Sequence, residues 1–198
     1  MLSKGIIIIS EELYRYVKAH IVSAMLYLMP WKIGSIYKKR WYQFMDVQYI
    51  NPFIETSKTV LKQTAGIDAR LGNIYLKKSP FTSDNILIFV GLTGKIRGQT
   101  VFAMSKSVAL LIASGMMGGA ELTELDEISK SALSELTNMI LGNTATILYN
   151  RGVGVEITPP SFLIGDNLQV SQSKMKTICI PLLILEDKRL EIHISVAE

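Results

Sequence analysis

The chain has 198 residues, of which 48% are hydrophobic and 19% charged, with a net charge of +4 and a single cysteine. That length can bury a proper core, and the lone Cys179 excludes a disulfide framework and a cysteine zinc site. The positive charge is local: residues 1–44 hold seven basic side chains against Glu11 and Glu12, so residues 45–198 are one charge short of neutral and carry no electrostatic footprint for nucleic acid.

Residues 1–44 also differ in pattern, with both tryptophans (Trp31, Trp41) and no clear element after Pro30. The apolar stretch from Val17 to Met29 is interrupted by Lys18 and His20 and closed by Pro30. A membrane span wants about 20 predominantly apolar residues, and no small-residue cleavage site follows, as a signal peptide requires. The expectation is a cytoplasmic protein without a membrane anchor. Lys38-Lys39-Arg40-Trp41 is encodable by a purine-rich run resembling a bacterial ribosome-binding site, and Met45 opens MDVQYINPFIETSK, which reads as a natural start. Residues 1–44 are therefore expected to be an N-terminal extension, translated upstream sequence or disordered, and residues 45–198 the functional domain.

From Met45 the elements can be taken in order. Asn51 and Pro52 suit an N-cap and first helical position, with a helix through Phe53, Ile54, Val60 and Leu61 to Gly66. Leu71 to Lys77 reads as a modest strand. Ile86–Leu92, a turn at Thr93-Gly94-Lys95, and Ile96–Met104 read as a hairpin. Ser105 caps a helix that stops at Gly118-Gly119, and Thr123 or Asp126 caps the next. Beyond Gly152 the alternation changes to period two, and 153–157, 161–164, 168–170, 174–185 and 189–196 read as strands, with a turn at Glu186-Asp187-Lys188 between the last two. This order predicts an α+β fold, a largely antiparallel sheet with helices packed on one face. No dinucleotide fingerprint, phosphate-binding loop or nucleophile elbow occurs. Cys179, inside TICIPLLIL, reads as a buried strand residue, and His20 and His193 sit in no ligand-like spacing.

The most informative stretch is Leu125–Tyr149, LDEISKSALSELTNMILGNTATILY. At about 100° per residue, Leu125, Ile128, Ala132, Leu136, Met139 and Ile147 share one broad face, which is expected to be the buried one. Ser131, Glu135, Asn138 and Gly142 form a second stripe, a quarter to half a turn away. A glycine in mid-helix costs about 1 kcal/mol relative to alanine, so Gly142 suggests close approach of another backbone. Taken alone, Glu135 and Asn138 read more readily as a solvated helix flank, since glutamate favours helices and most exposed polar residues carry no chemistry.

The run MMGGAELTELDEISKSALSELTNMILGNTA, followed after the helix by VEITPPS, resembles the CheX branch of the CheC/CheX/FliY chemotaxis phosphatases. The matching pieces are Met116-Met117-Gly118-Gly119, Leu125-Asp126-Glu127, Ser131, Ser134-Glu135, Asn138, Gly142-Asn143 and Thr158-Pro159-Pro160, with Asn51-Pro52-Phe53 fitting at the start. The resemblance implies a CheC/CheX-like fold and removal of the phosphoryl group from the aspartate of a phosphorylated CheY-like response regulator. Glu135 would pair with the regulator's invariant lysine, and Asn138 would aim the attacking water. Ser131 and Gly142 would support them, with Thr158-Pro159-Pro160 near the helix as scaffold. The chain would need no metal or cofactor of its own, because Mg²⁺ sits in the regulator's active site. The first helix carries Glu55 but Lys58 where two-site relatives carry a second asparagine, which implies one site per chain; the resemblance also implies a homodimer. The alternative is a non-catalytic module that docks a receiver domain or flagellar-switch component through the same helix.

Overall fold

The computed structural model describes residues 47–77, 81–82, 85–170, 175–185 and 188–197. The readings of residues 1–44 and of a turn at Glu186-Asp187 lie outside these. In chain order the elements are helix α1 (Val47–Ala65), strands β1 (Arg70–Leu71), β2 (Tyr75–Lys77), β3 (Phe81–Thr82), β4 (Ile86–Gly94) and β5 (Gly98–Met104). Helices α2 (Lys106–Met116) and α3 (Glu127–Asn150) follow, then β6 (Val155–Ile157), β7 (Ser161–Ile164), β8 (Gln169–Val170), β9 (Met175–Leu183) and β10 (Arg189–Ala197). The fold is α+β, as its element order predicts.

The sheet grows from the β4–β5 hairpin. It runs β1-β9-β10-β5-β4-β6, with β2 also on β9 and β7 also on β4, and every pairing is antiparallel. Period-two alternation sorts its side chains. Ile86, Ile88, Phe102, Met104, Ile180, Leu182, Ile192 and Ile194 join the helices in one core. Leu87, Val101 and Ala103 face the other way and are covered by Val170 and Leu168. The expected single strand at 71–77 is in fact two short ones, β1 and β2, each paired to β9. The strand expected at 168–170 leaves the main sheet and pairs with β3 instead.

The first helix starts earlier than its proline suggests. It begins at Val47, so Pro52 lies inside it and Asn51 is not its cap. Proline brings no N–H for the carbonyl four residues back, and the Arg151 guanidinium donates to that Gln48 carbonyl. Arg151 directly follows α3, so the break in one helix is mended from the end of another. Thr56 and Thr144 hydroxyls meet at 2.7 Å between the same two helices.

At the other end of α1, the backbone of α2 presses closely. A Cβ built on Gly115 would overlap the Ala65 carbonyl. Gly115→Ala is therefore expected to lower the unfolding free energy by about 1–3 kcal/mol, the usual cost of overpacking, read as an earlier midpoint in denaturant. An unchanged midpoint would mean the helices slide apart freely. α2 then ends as predicted, with Gly118 and Gly119 at φ of 70° and 88°, a turn that residues with a Cβ adopt at a cost.

On the face of β9 and β10 away from the helices, polar side chains (Thr177, Glu191, His193, Ser195) are buried. Glu191 is only 3% exposed and His193 fully covered. The Glu191 carboxylate accepts from Tyr75 Oη at 2.8 Å and from His193 Nε2 at 3.0 Å. It also pairs with Arg189 Nε at 3.0 Å and Lys77 Nζ at 3.3 Å. Burial pushes this carboxyl up, but the hydrogen bonds from His193 and Tyr75 and the charge of Lys77 outweigh it and hold the group down at about 2. Beside it, burial pushes the Cys179 thiol up to about 12, which makes it a poor nucleophile and agrees with its reading as a strand residue.

Candidate functional site

Helix α3 is started by Asp126, whose Oδ1 accepts from the Ser129 amide at 2.8 Å and from its hydroxyl at 2.6 Å. The buried line of the helix is Ser129, Leu133, Leu136, Thr137, Ile140, Leu141, Thr144 and Leu148. This corrects the expected face by about a quarter turn. Ile128 is 64% exposed, whereas Thr137 and Thr144 are buried. Their hydroxyls bond back to the carbonyls of Leu133 and Ile140, at 2.9 and 2.8 Å. A hydroxyl satisfied inside its own helix can be buried cheaply, and an apolar count cannot see this.

The correction moves the polar stripe to a telling place. With the core face turned, Ser131, Glu135, Asn138 and Gly142 stand about half a turn from its centre, on the far side of the helix. Ser131 and Glu135 are exposed, and Asn138 and Gly142 half-buried. Glu135 and Asn138 are three residues apart, which puts their Cβ atoms about 5–6 Å from each other. Among the described residues no side-chain hydrogen bond is made by Ser131, Glu135 or Asn138, in contrast to Ser129, Thr137, Thr144 and Thr146 on the same helix. An acid and an amide thus face outward with their bonding capacity unspent. Ser131 does not tie down Glu135 here.

Gly142 has open space where a Cβ would be, so no neighbour among the described residues requires it. Thr158-Pro159-Pro160 packs on the sheet: Thr158 Oγ1 accepts from the Gly91 amide at 2.8 Å, and its own amide donates to the Gly91 carbonyl at 3.0 Å. The link holds β6 and β7 to β4, and β6 in turn contacts α3. Met116 packs against the core. Among the described residues, no three His, Cys, Asp or Glu side chains cluster as a metal site. No helix among them is long and apolar enough to cross a membrane.

The sequence profile of the family described as "Chemotaxis phosphatase CheX" matches residues 86–183, a span that contains all of α3. The CheY-P phosphatase CheX of Thermotoga maritima is 30% identical over 152 residues, covering 77% of this chain and 97% of that protein. The chain belongs to the CheX family. Solved CheX-like structures share its fold. A CheC-like superfamily protein from a Shewanella species superposes with a TM-score of 0.70 at 25% identity, over 78% of this chain and all of the other. CheX in the CheX–CheY–BeF3–Mg²⁺ complex from Borrelia burgdorferi gives 0.66 at 28% identity, over 76% and 98%. As a CheX-family domain, the chain presents its stripe on α3, the longest helix among the described residues. Sequence reasoning found the stripe but misplaced two exposed apolar neighbours, taking Ile128 for core and giving Tyr149, 72% exposed, no role. Their spacing along the stripe was the signal that could have found them.

Proposed function

We propose that this chain dephosphorylates the aspartyl phosphate of a CheY-type response regulator in the cytoplasm. The observation that carries the reading is the unspent acid and amide, one turn apart on the outward face of α3, in a chain of the CheX family. Glu135 pairs with the regulator's lysine and holds the complex in register. Asn138 accepts a hydrogen bond from one water through Oδ1, or donates one to it through Nδ2, and so turns a free lone pair of that water toward phosphorus. As the water's oxygen bonds to phosphorus, the bond to the aspartate oxygen breaks. Its electron pair stays on the aspartate as a carboxylate, and inorganic phosphate leaves carrying both protons of the water. Phosphoryl transfer rests mainly on positioning and charge stabilisation, so the amide need not take a proton. The regulator holds the Mg²⁺, and the stripe brings one carboxylate to that site. This reading includes a homodimer joined through sheet edges, supported by exposed Leu163 and Ile164 on β7 and Leu76 on β2 and tested by light scattering.

The test is phosphate release from a phosphorylated CheY-type receiver encoded in the same genome. Release is expected to be faster with this protein than from the receiver alone. Glu135→Ala is expected to raise KM more than it lowers kcat, because its partner contact is formed in the encounter complex as well as later. No acceleration with any such receiver would remove the catalytic reading.

A further inference from the structure

The edge of the sheet is interrupted where β9 carries Pro181. Gly72 stands opposite and donates its amide to the Pro181 carbonyl at 2.8 Å, but proline has no N–H to return the bond. The ladder lapses there. On one side Leu71 pairs with Leu182, and on the other Tyr75 pairs with Cys179. Residues 72–74 therefore stand opposite Ile180 and Pro181 alone, three against two. An extra residue at a sheet edge makes a bulge, which bends the strand aside and is a usual place for a proline in the partner.

Beside the bulge lies an open cleft of about 390 Å³, within the roughly 300–1,000 Å³ of small-molecule sites. Register and alternation put Tyr75, Pro181, Leu183, Arg189 and Glu191 on one sheet face. Glu191 also pairs with Ala103, which faces away from the helices. The cleft is thus on the opposite side of the sheet from α3. Pro181, Leu183 and the Tyr75 ring give it apolar walls. A Cβ on Gly72 would come within 3.3 Å of Pro181 Cβ and 3.6 Å of Leu183 Cγ, so the glycine keeps the space open.

Arg189 supplies the charge. Its side chain is 55% exposed, and its Nε is held by Glu191 at 3.0 Å. Among the described residues Nη1 and Nη2 make no hydrogen bond or ion pair, so the fork that fits a carboxylate is unspent on a guanidinium already fixed in place. Glu191 itself has nothing left to offer, because its oxygens already accept from Tyr75, Lys77, Arg189 and His193. Its negative charge still acts at short range and disfavours a second anionic group.

We infer that this cleft binds a small organic monocarboxylate, its carboxylate on the Nη1 and Nη2 edge of Arg189 and its apolar body between Pro181, Leu183 and Tyr75 over the bare Cα of Gly72. The site is separate from Glu135 and Asn138 and does not depend on how they act.

The experiment titrates benzoate into the full chain by calorimetry, with benzamide and inorganic phosphate as parallel arms. Benzamide keeps the shape without the charge, and phosphate keeps the charge without the apolar body. Benzoate is expected to bind at one site per chain, roughly tenfold or more tightly than either, the worth of a charged hydrogen-bonded pair. Arg189→Gln is expected to weaken benzoate by a similar factor, and Arg189→Lys to recover part of the loss. Gly72→Ala, which places a methyl group in the cleft and leaves Arg189 untouched, is expected to weaken it as well. Melting curves show that each variant is folded, and the glycine variant carries the test if Arg189→Gln is not. Failure of the wild type to bind benzoate overturns the site, as does unchanged affinity in a folded Arg189→Gln or Gly72→Ala protein. Benzamide or phosphate binding as tightly as benzoate overturns the choice of a monocarboxylate.

Discussion

Asn138→Ala is expected to slow phosphate release from the receiver by roughly 10²-fold, the scale of losing the group that aligns a reactant, while affinity for the beryllofluoride-loaded receiver stays near that of wild type. The physical reason is where the amide sits. It makes no side-chain hydrogen bond among the described residues and stands on the side of α3 away from the core, so removing it leaves no buried group unpaired. Alanine is also the better helix former, and the melting temperature should hold or rise. A loss of rate would therefore report chemistry and not folding. Asn138→Asp sharpens the test. The carboxylate has the same shape and still accepts a hydrogen bond from water, but it cannot donate and it repels the phosphoryl oxygens. It should be as slow as alanine. If either variant kept the wild-type rate, water would be positioned by some other group and the assignment of Asn138 would fall.

Glu191→Gln is expected to cost about 3 kcal/mol of stability at pH 7, and this loss should fade in acid. The carboxyl ordinarily titrates near 4.5 and is held at about 2 in the fold, and each unit of such a difference is worth about 1.4 kcal/mol. Because the folded value is the lower one, the unfolded chain takes up the proton first. The stabilisation is complete above about pH 5 and drains away as pH falls toward 2. Denaturant midpoints of wild type and variant should thus be far apart at neutral pH and converge near pH 2. Parallel curves would mean that the Tyr75, Lys77, Arg189 and His193 contacts do not act through charge. The variant keeps α3 and its stripe, so phosphatase activity should persist wherever the domain remains folded.

Sequence reasoning recovered the hairpin, the Ser105 and Asp126 caps and the double-glycine stop because each is written in a few neighbouring residues. It failed where the answer depends on distant ones. Pro52 looks like the first residue of a helix, yet the helix begins at Val47, and the Gln48 carbonyl that Pro52 leaves is met by Arg151, far along the chain. The pairs β1 with β9 and β3 with β8 span two residues each, too few for a period to register. The core face of α3 was misjudged because Ser129, Thr137 and Thr144 satisfy their hydroxyls locally and go inside, while Ile128 stays out. In EIHIS nothing local signals that Glu191 and His193 are buried, because their partners lie on β2. The stripe itself was legible, since a regular row of polar residues on a helix survives an error in locating the core.

That arrangement has a consequence for how such a protein changes over generations. The residues assigned to catalysis lie where the fold does not depend on them, so mutation can silence or retune the activity without any penalty in folding. A descendant that exchanged Asn138 would accumulate normally and still occupy the regulator. It would thus turn from an eraser of the signal into a shield for it, and selection on signalling lifetime would act on one amide without disturbing the rest of the chain.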